Sequence, residues 1–324
     1  MAKAIQISSY GAPEVLKLTD LSPITPKPDE IVIRQTAIGI NFHDIYVRSG
    51  LYKTLSLPGI PGIEGAGVIT KIGSEVTSFS IGDRVAYITS SYGGYASERS
   101  LPAAIAVPIP DGISDVIAAS VILKGLTVQM LANKVARIKK GDAILVHAAA
   151  GGVGQLLVQE AKNRGATVFG TVGSDVKAEI AKNKGCDHII RYREENVYDR
   201  VMDVTNGTGL RIIYDSVGKD TFYDSLASLD FGGHLVNFGQ SSGPIENFEV
   251  SMLAKKSATL SRPMIFHYVR KRQELLHMSQ TLFKAIKEGD IKTTEPLQMP
   301  LKEASKAHEL LTSRTLTQSI VLIP

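Results

Sequence analysis

Apolar segments of strand length alternate with segments of helical period between residues 141 and 265. The first apolar segment is nearly unbroken, as in a strand that is buried on both faces. Helical spacing follows it until Gly165, where a second apolar segment begins. This βα rhythm predicts a doubly wound, six-stranded parallel sheet. The predicted strands are Ala143–Ala150, Thr167–Val172, His188–Tyr192, Leu210–Val217, Gly233–Gly239 and Ala258–Arg262, with a loop joining the last pair.

The rest of the chain follows a different pattern. Residues 1–123 hold short alternating segments such as Glu30–Ala37, Gly67–Ile72 and Arg84–Ile88, which are separated by Gly and Pro and predict a β-rich domain. A helical pattern from Asp115 to Ala136 marks the junction with the sheet domain. The predicted organisation is therefore a β-rich part at 1–123, a sheet domain at 124–265 and a return to the first domain at 266–324, with helices Tyr268–Glu288 and Leu301–Thr312 and a strand Ser319–Ile323.

A glycine-rich turn separates the first predicted strand from its helix. Gly151 and Gly152 allow the backbone to approach a pyrophosphate, and Gly154 allows the helix to pack closely on the strand. The helix N-terminus then offers N–H groups and a positive dipole end to the phosphates. Ala149 replaces the usual first glycine of the dinucleotide fingerprint. An ordinary βα turn is the alternative, but the strand–turn–helix–strand context favours a dinucleotide.

The end of the second strand bears on which dinucleotide binds. An acidic residue at this point normally holds the ribose 2′-hydroxyl of NAD, but the strand ends in Val172, Gly173 and Ser174. Asp175 falls in the first turn of the next helix, where the helix dipole is a sufficient reason for it. Ser174 and the cation Lys177 suit a 2′-phosphate, so the sequence favours NADPH over NADH. The alternative is that Asp175 points back to the ribose and the enzyme prefers NADH.

Composition excludes several classes of protein. The chain has 324 residues, 44% of them hydrophobic and 21% charged, with a formal net charge of +4, and these values are typical of a globular protein with two domains. The basic residues are dispersed, so charge alone indicates no nucleic acid or membrane partner. Cys186 is the single cysteine, which excludes a disulfide framework and a multi-cysteine zinc site. Without an apolar signal core or a run of 18 apolar residues, we expect a cytoplasmic protein.

Several motifs in order resemble one superfamily over essentially the whole chain. They include GAPEVL, AIGINFHDIYVRSGLY, PGIEGAGVI, GDRVAY, KGLTV, HAAAGGVG, YDSVG and FGQSSG. The chain resembles the medium-chain dehydrogenase/reductase superfamily, and within it the NADPH-dependent quinone oxidoreductases related to ζ-crystallin. The resemblance implies a GroES-like β domain that carries an inserted Rossmann domain for NADPH, and a quinone as the acceptor of hydride.

The resemblance also raises the question of zinc. Alcohol dehydrogenases of this superfamily hold a catalytic zinc through Cys and His in two stretches, where this chain has Asn41 and Ile63. Zinc stabilises an alkoxide, so its loss favours reduction of an already electrophilic acceptor. His43 and Asp44 are adjacent but make no ligand set, and we expect a polar loop pair there. The prediction is a reductase that binds no metal and works without zinc.

The resemblance implies roles for individual residues. Asn41, Tyr46 and Tyr52 are expected to line the nicotinamide and substrate cleft, with Lys124 and Thr127 approaching it from the junction helix. Asn41 and Thr127 are expected to touch the cofactor as well. The remaining cofactor contacts are expected from Gly152 and Val153 at the pyrophosphate, from Ser174, Lys177, Tyr192 and Arg314 around the adenosine 2′-phosphate, and from Ser216, Phe238, Gly239 and Ser241 along the ribose and nicotinamide.

Some alternatives stay open at this level. Tyr46 and Tyr52 also fit ordinary half-buried aromatics, and Arg314 fits a cation at a helix end. Reduction of the C=C bond of an α,β-unsaturated carbonyl is a second possible reaction. Some ζ-crystallin relatives bind RNA, but no RNA-binding signature is visible in this sequence. The resemblance and the open edge of a six-stranded sheet predict a homodimer.

Overall fold

A computed structural model describes residues 2–324, which form two compact units. The first unit comprises the described residues up to Lys124, together with Tyr268–Glu288 and Thr293–Pro324. The second comprises Gly125–His267 and Gly289–Lys292. The sequence placed the corresponding boundaries at 123/124 and 265/266, without a short return at 289–292.

The first unit is built on antiparallel strands. Its main sheet has seven strands, and a separate two-stranded sheet pairs Lys3–Gln6 with Lys17–Asp20. Ile31, Ile33, Ile69, Val85 and Tyr87 form its core, because alternate residues of these strands point to one face. Up to the junction the elements are β1 Lys3–Gln6, β2 Lys17–Asp20, β3 Glu30–Gly39, α1 Phe42–Ser49, β4 Glu64–Ile72, β5 Arg84–Ile88, β6 Glu98–Pro102, β7 Ala106–Pro108 and α2 Asp115–Met130, with single 3₁₀ turns at Pro13–Val15 and Ala103–Ile105.

Helix α1 is an element that the sequence analysis missed. Asn41 precedes it with extended backbone, and its N–H donates to the Asp44 carboxylate at 2.8 Å. Gly50 ends the helix in the left-handed region at φ 83°, which glycine adopts without strain. The predicted polar loop pair is therefore wrong, because His43 and Asp44 lie inside a helix.

Helix α2 carries the chain from the first unit to the second and continues as a π-helical turn, Leu131–Val135. The span Asp115–Val135 is long and apolar enough to cross a membrane by length and composition, with a mean hydropathy of 1.5 over an 18-residue window. However, 78% of that window is buried inside the structure, which is typical of the core helix of a soluble protein.

The second unit contains the predicted six-stranded sheet. All its strand pairs are parallel, and the predicted fold class is confirmed. Leu145, Phe169, Ile190, Ile213 and Leu235 pack in its core. The elements are β8 Ala143–Val146, α3 Gly152–Asn163, β9 Thr167–Val172, α4 Asp175–Asn183, β10 His188–Arg191, α5 Val197–Val204, β11 Leu210–Asp215, α6 Phe222–Ala227, β12 Leu229–Asn237, β13 Thr259–Ser261 and α7 Ile265–Tyr268, in the spatial order β10-β9-β8-β11-β12-β13.

Several predicted bounds in and after this sheet are wrong, among them the start of β12, which lies at Leu229 rather than Gly233. The first strand ends at Val146 rather than Ala150, because the chain turns at Ala148 with φ 52°. The loop between β12 and β13 contains a 3₁₀ helix at Val250–Lys256. The helix predicted from Tyr268 begins at Arg272, after the separate α7. The closing elements are α8 Arg272–Glu288, β14 Leu297–Pro300, a 3₁₀ turn Leu301–Glu303, α9 Ala304–Thr312 and β15 Ile320–Ile323.

The closing elements complete the sheet of the first unit. Strand β15 pairs antiparallel with β3 and parallel with β14, so the chain returns to the sheet of the first unit. The order of that sheet is β14-β15-β3-β4-β5-β7, with β6 also paired to β3.

Candidate active site

A buried carboxylate in the first unit holds two of the predicted site residues. Glu64, the first residue of β4, has a fully buried side chain. Its Oε1 accepts from Asn41 Nδ2 at 2.6 Å and from Lys124 Nζ at 3.3 Å, and its Oε2 accepts from the Leu123 N–H at 2.8 Å. Gly39 makes room for it, because a Cβ there would lie 2.3 Å from Glu64 Oε1. Asn41 and Lys124 are thus fixed by one carboxylate that sequence analysis did not single out.

The carboxyl group of Asp44 lies near this cluster and has an unusual pKa. Burial raises the pKa to about 7, and the negative charge of Glu64 adds to the rise, while the Asn41 backbone N–H and Lys124 oppose it. The side chain is fully buried. The carboxyl group of Asp44 therefore keeps its proton to a much higher pH than an ordinary aspartate, and it accepts a hydrogen bond from the Asn41 N–H that precedes α1.

Aromatic rings of α1 and the following segment pack against one another. Tyr46 and Tyr52 have ring centroids 5.1 Å apart in an edge arrangement, and their backbones are linked by a 2.9 Å hydrogen bond. His43 packs on Tyr52 at 5.6 Å and stacks with Tyr92 at 6.0 Å. Burial lowers the pKa of His43 to about 4, so this imidazole is neutral at physiological pH. The structure brings Tyr46 and Tyr52 together and adds His43 and Tyr92, whose positions no sequence pattern indicated.

The glycine turn of the second unit has the geometry that a dinucleotide site requires. Gly151 precedes α3, and Gly152 and Val153 supply the first N–H groups of the helix. A Cβ at Gly154 would lie 2.3 Å from the Ala148 carbonyl oxygen, so the helix contacts the turn too closely for any side chain. The result is a helix N-terminus directly after a buried strand, a geometry suited to phosphate oxygens.

A buried histidine fixes the start of this turn. His147 lies between Thr171 Oγ1 at 3.1 Å from Nδ1 and Ser225 Oγ at 2.8 Å from Nε2. Because Ser225 Oγ itself donates to the Thr221 carbonyl, it accepts from His147 Nε2–H. Burial lowers the pKa of His147, which keeps the ring neutral. The imidazole thereby ties the end of β8 to β9 and α6.

The loops after β11 and β12 are joined by a second buried carboxylate. Asp215 Oδ1 accepts from the N–H groups of Val217 at 2.7 Å and Gly218 at 3.1 Å, and its Oδ2 accepts from Asn237 Nδ2 at 3.0 Å. The Ser241 N–H donates to the Ser216 carbonyl at 3.1 Å. The remaining predicted residues lie in the same place, since the Phe238 N–H donates to the Asp215 carbonyl at 2.8 Å and a Cβ at Gly239 would lie 2.6 Å from Ser216 O.

The residues predicted for a 2′-phosphate lie partly together. Ser174 immediately precedes α4, and Lys177 lies in its first turn. Tyr192 follows β10 and rests over Gly173, where a Cβ would lie 2.6 Å from the Tyr192 hydroxyl. Thr127 lies on α2 in the second unit, whereas Arg314 follows α9 in the first unit with φ 57°. The role of Arg314 in binding the 2′-phosphate therefore stays a prediction.

Comparison with known proteins gives one matching family for each of the two units. Residues 27–111 match the family described as alcohol dehydrogenase GroES-like domain, and residues 152–281 match the family described as zinc-binding dehydrogenase. These are the two domains of the medium-chain dehydrogenase/reductase class.

Full-length relatives are more specific. The quinone oxidoreductase of Pseudomonas aeruginosa is 44% identical over 325 residues, covering 100% of both chains. The structure of Escherichia coli quinone oxidoreductase complexed with NADPH superimposes with a TM-score of 0.97 at 42% identity, covering 99% of this chain and 100% of that chain. A 2-haloacrylate reductase from Burkholderia sp. is 36% identical over 331 residues, covering 100% of this chain and 99% of the relative. The chain belongs to the quinone oxidoreductase family.

The side chains present do not fit the metal that the name of one matched domain implies. The Asn41 amide donates to Glu64 instead of offering a thiolate, and Ile63 is a buried alkyl group without a donor atom. The thiol of Cys186 lies in the second unit, and burial raises its pKa to about 12. Within residues 2–324 no group of three or more His, Cys, Asp and Glu side chains could hold a metal ion.

Proposed function

We propose that this protein is an NADPH-dependent quinone oxidoreductase. The observation that carries the proposal is the glycine turn at the start of α3 in a chain that superimposes with a TM-score of 0.97 on a quinone oxidoreductase complexed with NADPH. The side chains present fit the cofactor, because the Gly154 contact leaves no Cβ between the turn and the helix N-terminus. When bound, NADPH supplies the hydride, and the protein supplies alignment and exclusion of water.

The first unit supplies polar groups for the acceptor. Glu64 fixes the Asn41 amide and the Lys124 ammonium, which keeps two hydrogen-bonding groups in a constant position. The hydroxyl of Tyr46 or Tyr52 donates to the oxygen on which negative charge develops during reduction. Flat aromatic rings also suit a planar acceptor, since offset stacking and edge contacts are both favourable. Thr127, which lies on α2 in the second unit, contributes a further hydroxyl to the cofactor.

The second unit supplies the cofactor contacts. Gly151, Gly152 and Val153 meet the pyrophosphate, and the loops organised by Asp215 meet the ribose and nicotinamide. The side chains of the second unit that distinguish NADPH from NADH are Ser174, Lys177 and Tyr192, and the role of Arg314 stays a prediction from the sequence. Charge-assisted hydrogen bonds to a phosphate are worth on the order of 1.5–3 kcal/mol each, which is enough to decide cofactor choice.

A second reaction is supported by one specific relative. The 2-haloacrylate reductase reduces, by its name, a substrate with a C=C bond conjugated to a carboxylate. Hydride transfer to an α,β-unsaturated carbonyl requires the same alignment and the same oxyanion donors. The RNA-binding alternative has no comparable support, and it stays the least favoured prediction.

The proposal also covers the zinc dependence, the localisation and the oligomeric state of the protein. The enzyme is zinc-independent and cytoplasmic. It is a homodimer whose subunits pair through the free edge of β13, because an open edge strand is a template for strand pairing. Exposed apolar side chains near that edge support this assignment, with Phe231 on β12 73% exposed and Met264 just after β13 51% exposed.

The experiment that tests the proposal is an acceptor screen. Purified protein is mixed with NADPH and a series of quinones, enones, 2-haloacrylate and aldehydes, with and without a chelator. We expect quinones to give the highest kcat/KM and the chelator to change nothing. A higher kcat/KM for enones or haloacrylate would transfer the assignment to the second reaction, and loss of activity with release of stoichiometric zinc would contradict the zinc-free mechanism.

A further inference from the structure

An ion pair lies among the residues proposed to select NADPH. Asp175 is the first residue of α4, directly after Ser174 and two residues before Lys177. Its Oδ1 lies 2.9 Å from Nε of Arg191, the last residue of β10, which directly precedes Tyr192. Arg191 aligns with Val172 in the parallel pairing of β10 and β9, so the ends of both strands come to the same edge of the sheet. Both partners of the pair therefore flank the proposed phosphate-binding residues.

This pair contributes little to folding. The Arg191 side chain is 44% exposed and that of Asp175 81% exposed, and exposed pairs of this kind are nearly neutral for stability. The pair has a larger effect on the binding of a charged ligand than on folding. Asp175 is the carboxylate nearest in sequence to the end of β9, the place where an acidic side chain normally binds the ribose 2′-hydroxyl of NAD. Left unpaired, its charge would repel a 2′-phosphate that carries close to two negative charges.

We infer that Arg191 is a specificity-determining residue, which favours NADPH by holding and neutralising Asp175. The inference rests on the proposed function and deepens it. Arg191 also lies 3.8 Å from the exposed carboxylate of Glu194, while Lys177 and Arg193 are the other nearby cations in the sequence. Cofactor choice in this chain thus depends on a carboxylate that lies just beyond the end of β9, close to the usual NAD position, and is held by an arginine.

The test compares nucleotides that differ only in the phosphate. Binding of 2′-phospho-ADP-ribose and of ADP-ribose is measured by titration calorimetry at low ionic strength, so that turnover is not needed. In Arg191→Ala we expect the preference for the phosphorylated nucleotide to fall roughly three- to ten-fold, the size expected for a released carboxylate near a screened dianion. Affinity for ADP-ribose should stay the same or rise. The loss should shrink at high salt, where exposed charges are screened.

A second variant separates this mechanism from direct binding of the phosphate by arginine. In Arg191→Ala/Asp175→Asn the repelling charge is absent, and we expect most of the lost preference to return. If the double variant binds the phosphorylated nucleotide as weakly as Arg191→Ala, Arg191 contacts the phosphate itself and the inference is wrong. An unchanged preference in Arg191→Ala would overturn it as well.

The control is Arg200→Ala, which removes an arginine of similar exposure that is paired with Asp203 at 3.1 Å on α5. It makes the same change in net charge and should leave both affinities unchanged. Unmutated protein that binds the two nucleotides equally would contradict the NADPH assignment itself. If the unmutated protein prefers the phosphorylated nucleotide and Arg191→Ala keeps the same preference, only the inference about Arg191 is contradicted.

Discussion

Glu64 is the side chain on which the acceptor-binding part of the site depends most. Its carboxylate is fully buried and receives hydrogen bonds from Asn41, Lys124 and the Leu123 backbone. Removing one partner of a buried ion pair leaves the other charge without compensation. Neither the distance along the chain from Asn41 to Glu64 nor the apolar context of Glu64 reveals this contact, and only the pairing of β3 with β4 creates it.

We therefore expect Glu64→Gln to lower the free energy of unfolding by about 3–5 kcal/mol, because Lys124 stays buried and unpaired. Denaturant titration measures this loss. Glu288→Gln is the control, since it breaks an exposed pair with Lys284 and should cost below about 1 kcal/mol. The double variant Glu64→Gln/Lys124→Met should recover much of the stability. Equal losses in Glu64→Gln and Glu288→Gln would refute the role given to Glu64.

Asp44 gives the protein a pH dependence of predictable sign. Its pKa rises from an ordinary 3.8 to about 7 on folding, so between these values the folded state holds a proton that the unfolded state releases. This group alone makes stability fall as pH rises from about 4 to 7, at up to about 1.4 kcal/mol per pH unit. His43 and His308 act in the opposite sense, because burial lowers their pKa values to about 4 and about 3.

Comparison with Asp44→Asn isolates the contribution of Asp44. Relative to this variant, the unmutated protein should lose stability between pH 5 and pH 7.5, and the denaturation midpoints of the two proteins at both pH values measure the difference. A constant difference between them would mean that Asp44 does not titrate in this range.

Individual helices and strands differ in how far the sequence specified them. The second unit was predictable because strands buried on both faces are nearly continuous apolar runs, and Thr167–Val172 was located to the residue. The first strand was predicted too long, since Ala148 and Ala149 are apolar but belong to a turn. Helix α1 was missed because its eight residues mix aromatic, polar and charged side chains, and its ends are set by Asn41 and Gly50.

The residues of the candidate site were also predictable only where they are neighbours along the chain. The glycine turn was predictable from local chemistry, because a strand, three glycines and a helix are adjacent along the chain. The contacts of Glu64, Asp215 and His147 were not, since each joins elements that are distant in sequence and meet only in the folded sheet. The sequence offered the helix dipole as a sufficient reason for Asp175, and its partner Arg191 became visible only through the pairing of β9 with β10.

The close contact between α3 and its preceding turn gives a prediction for that helix. In Gly154→Ala the new Cβ would lie 2.3 Å from the Ala148 carbonyl oxygen, so the helix must shift. Overpacking of this kind costs about 1–3 kcal/mol, and displacement of the helix N-terminus should also weaken NADPH binding. Gly151→Ala is the milder comparison, because its Cβ would lie 3.1 Å from the same oxygen at φ −77°. Thermal unfolding and fluorescence titration with NADPH distinguish the two variants, and equal effects would contradict the account of the turn.

The proposed homodimer is a property of the complete chain in solution. Light scattering at micromolar concentration should give twice the 34.9 kDa of one chain. Met264→Glu places a charge beside the free edge of β13 and should raise the monomer fraction. Ile81→Glu changes a side chain of the first unit that is 65% exposed and should leave the mass unchanged. A monomer mass for the unmutated protein would exclude the β13 interface.

The central claim is that NADPH is the reductant and a quinone the acceptor. The most direct measurement is the steady-state rate of oxidation of NADPH and of NADH by one quinone, with the purified, unmutated protein. We predict oxidation that depends on the quinone, with a kcat/KM for NADPH at least ten-fold above that for NADH, the factor that about 1.4 kcal/mol of phosphate binding provides. A higher kcat/KM for NADH, or no oxidation of either cofactor when the quinone is added, would contradict the account.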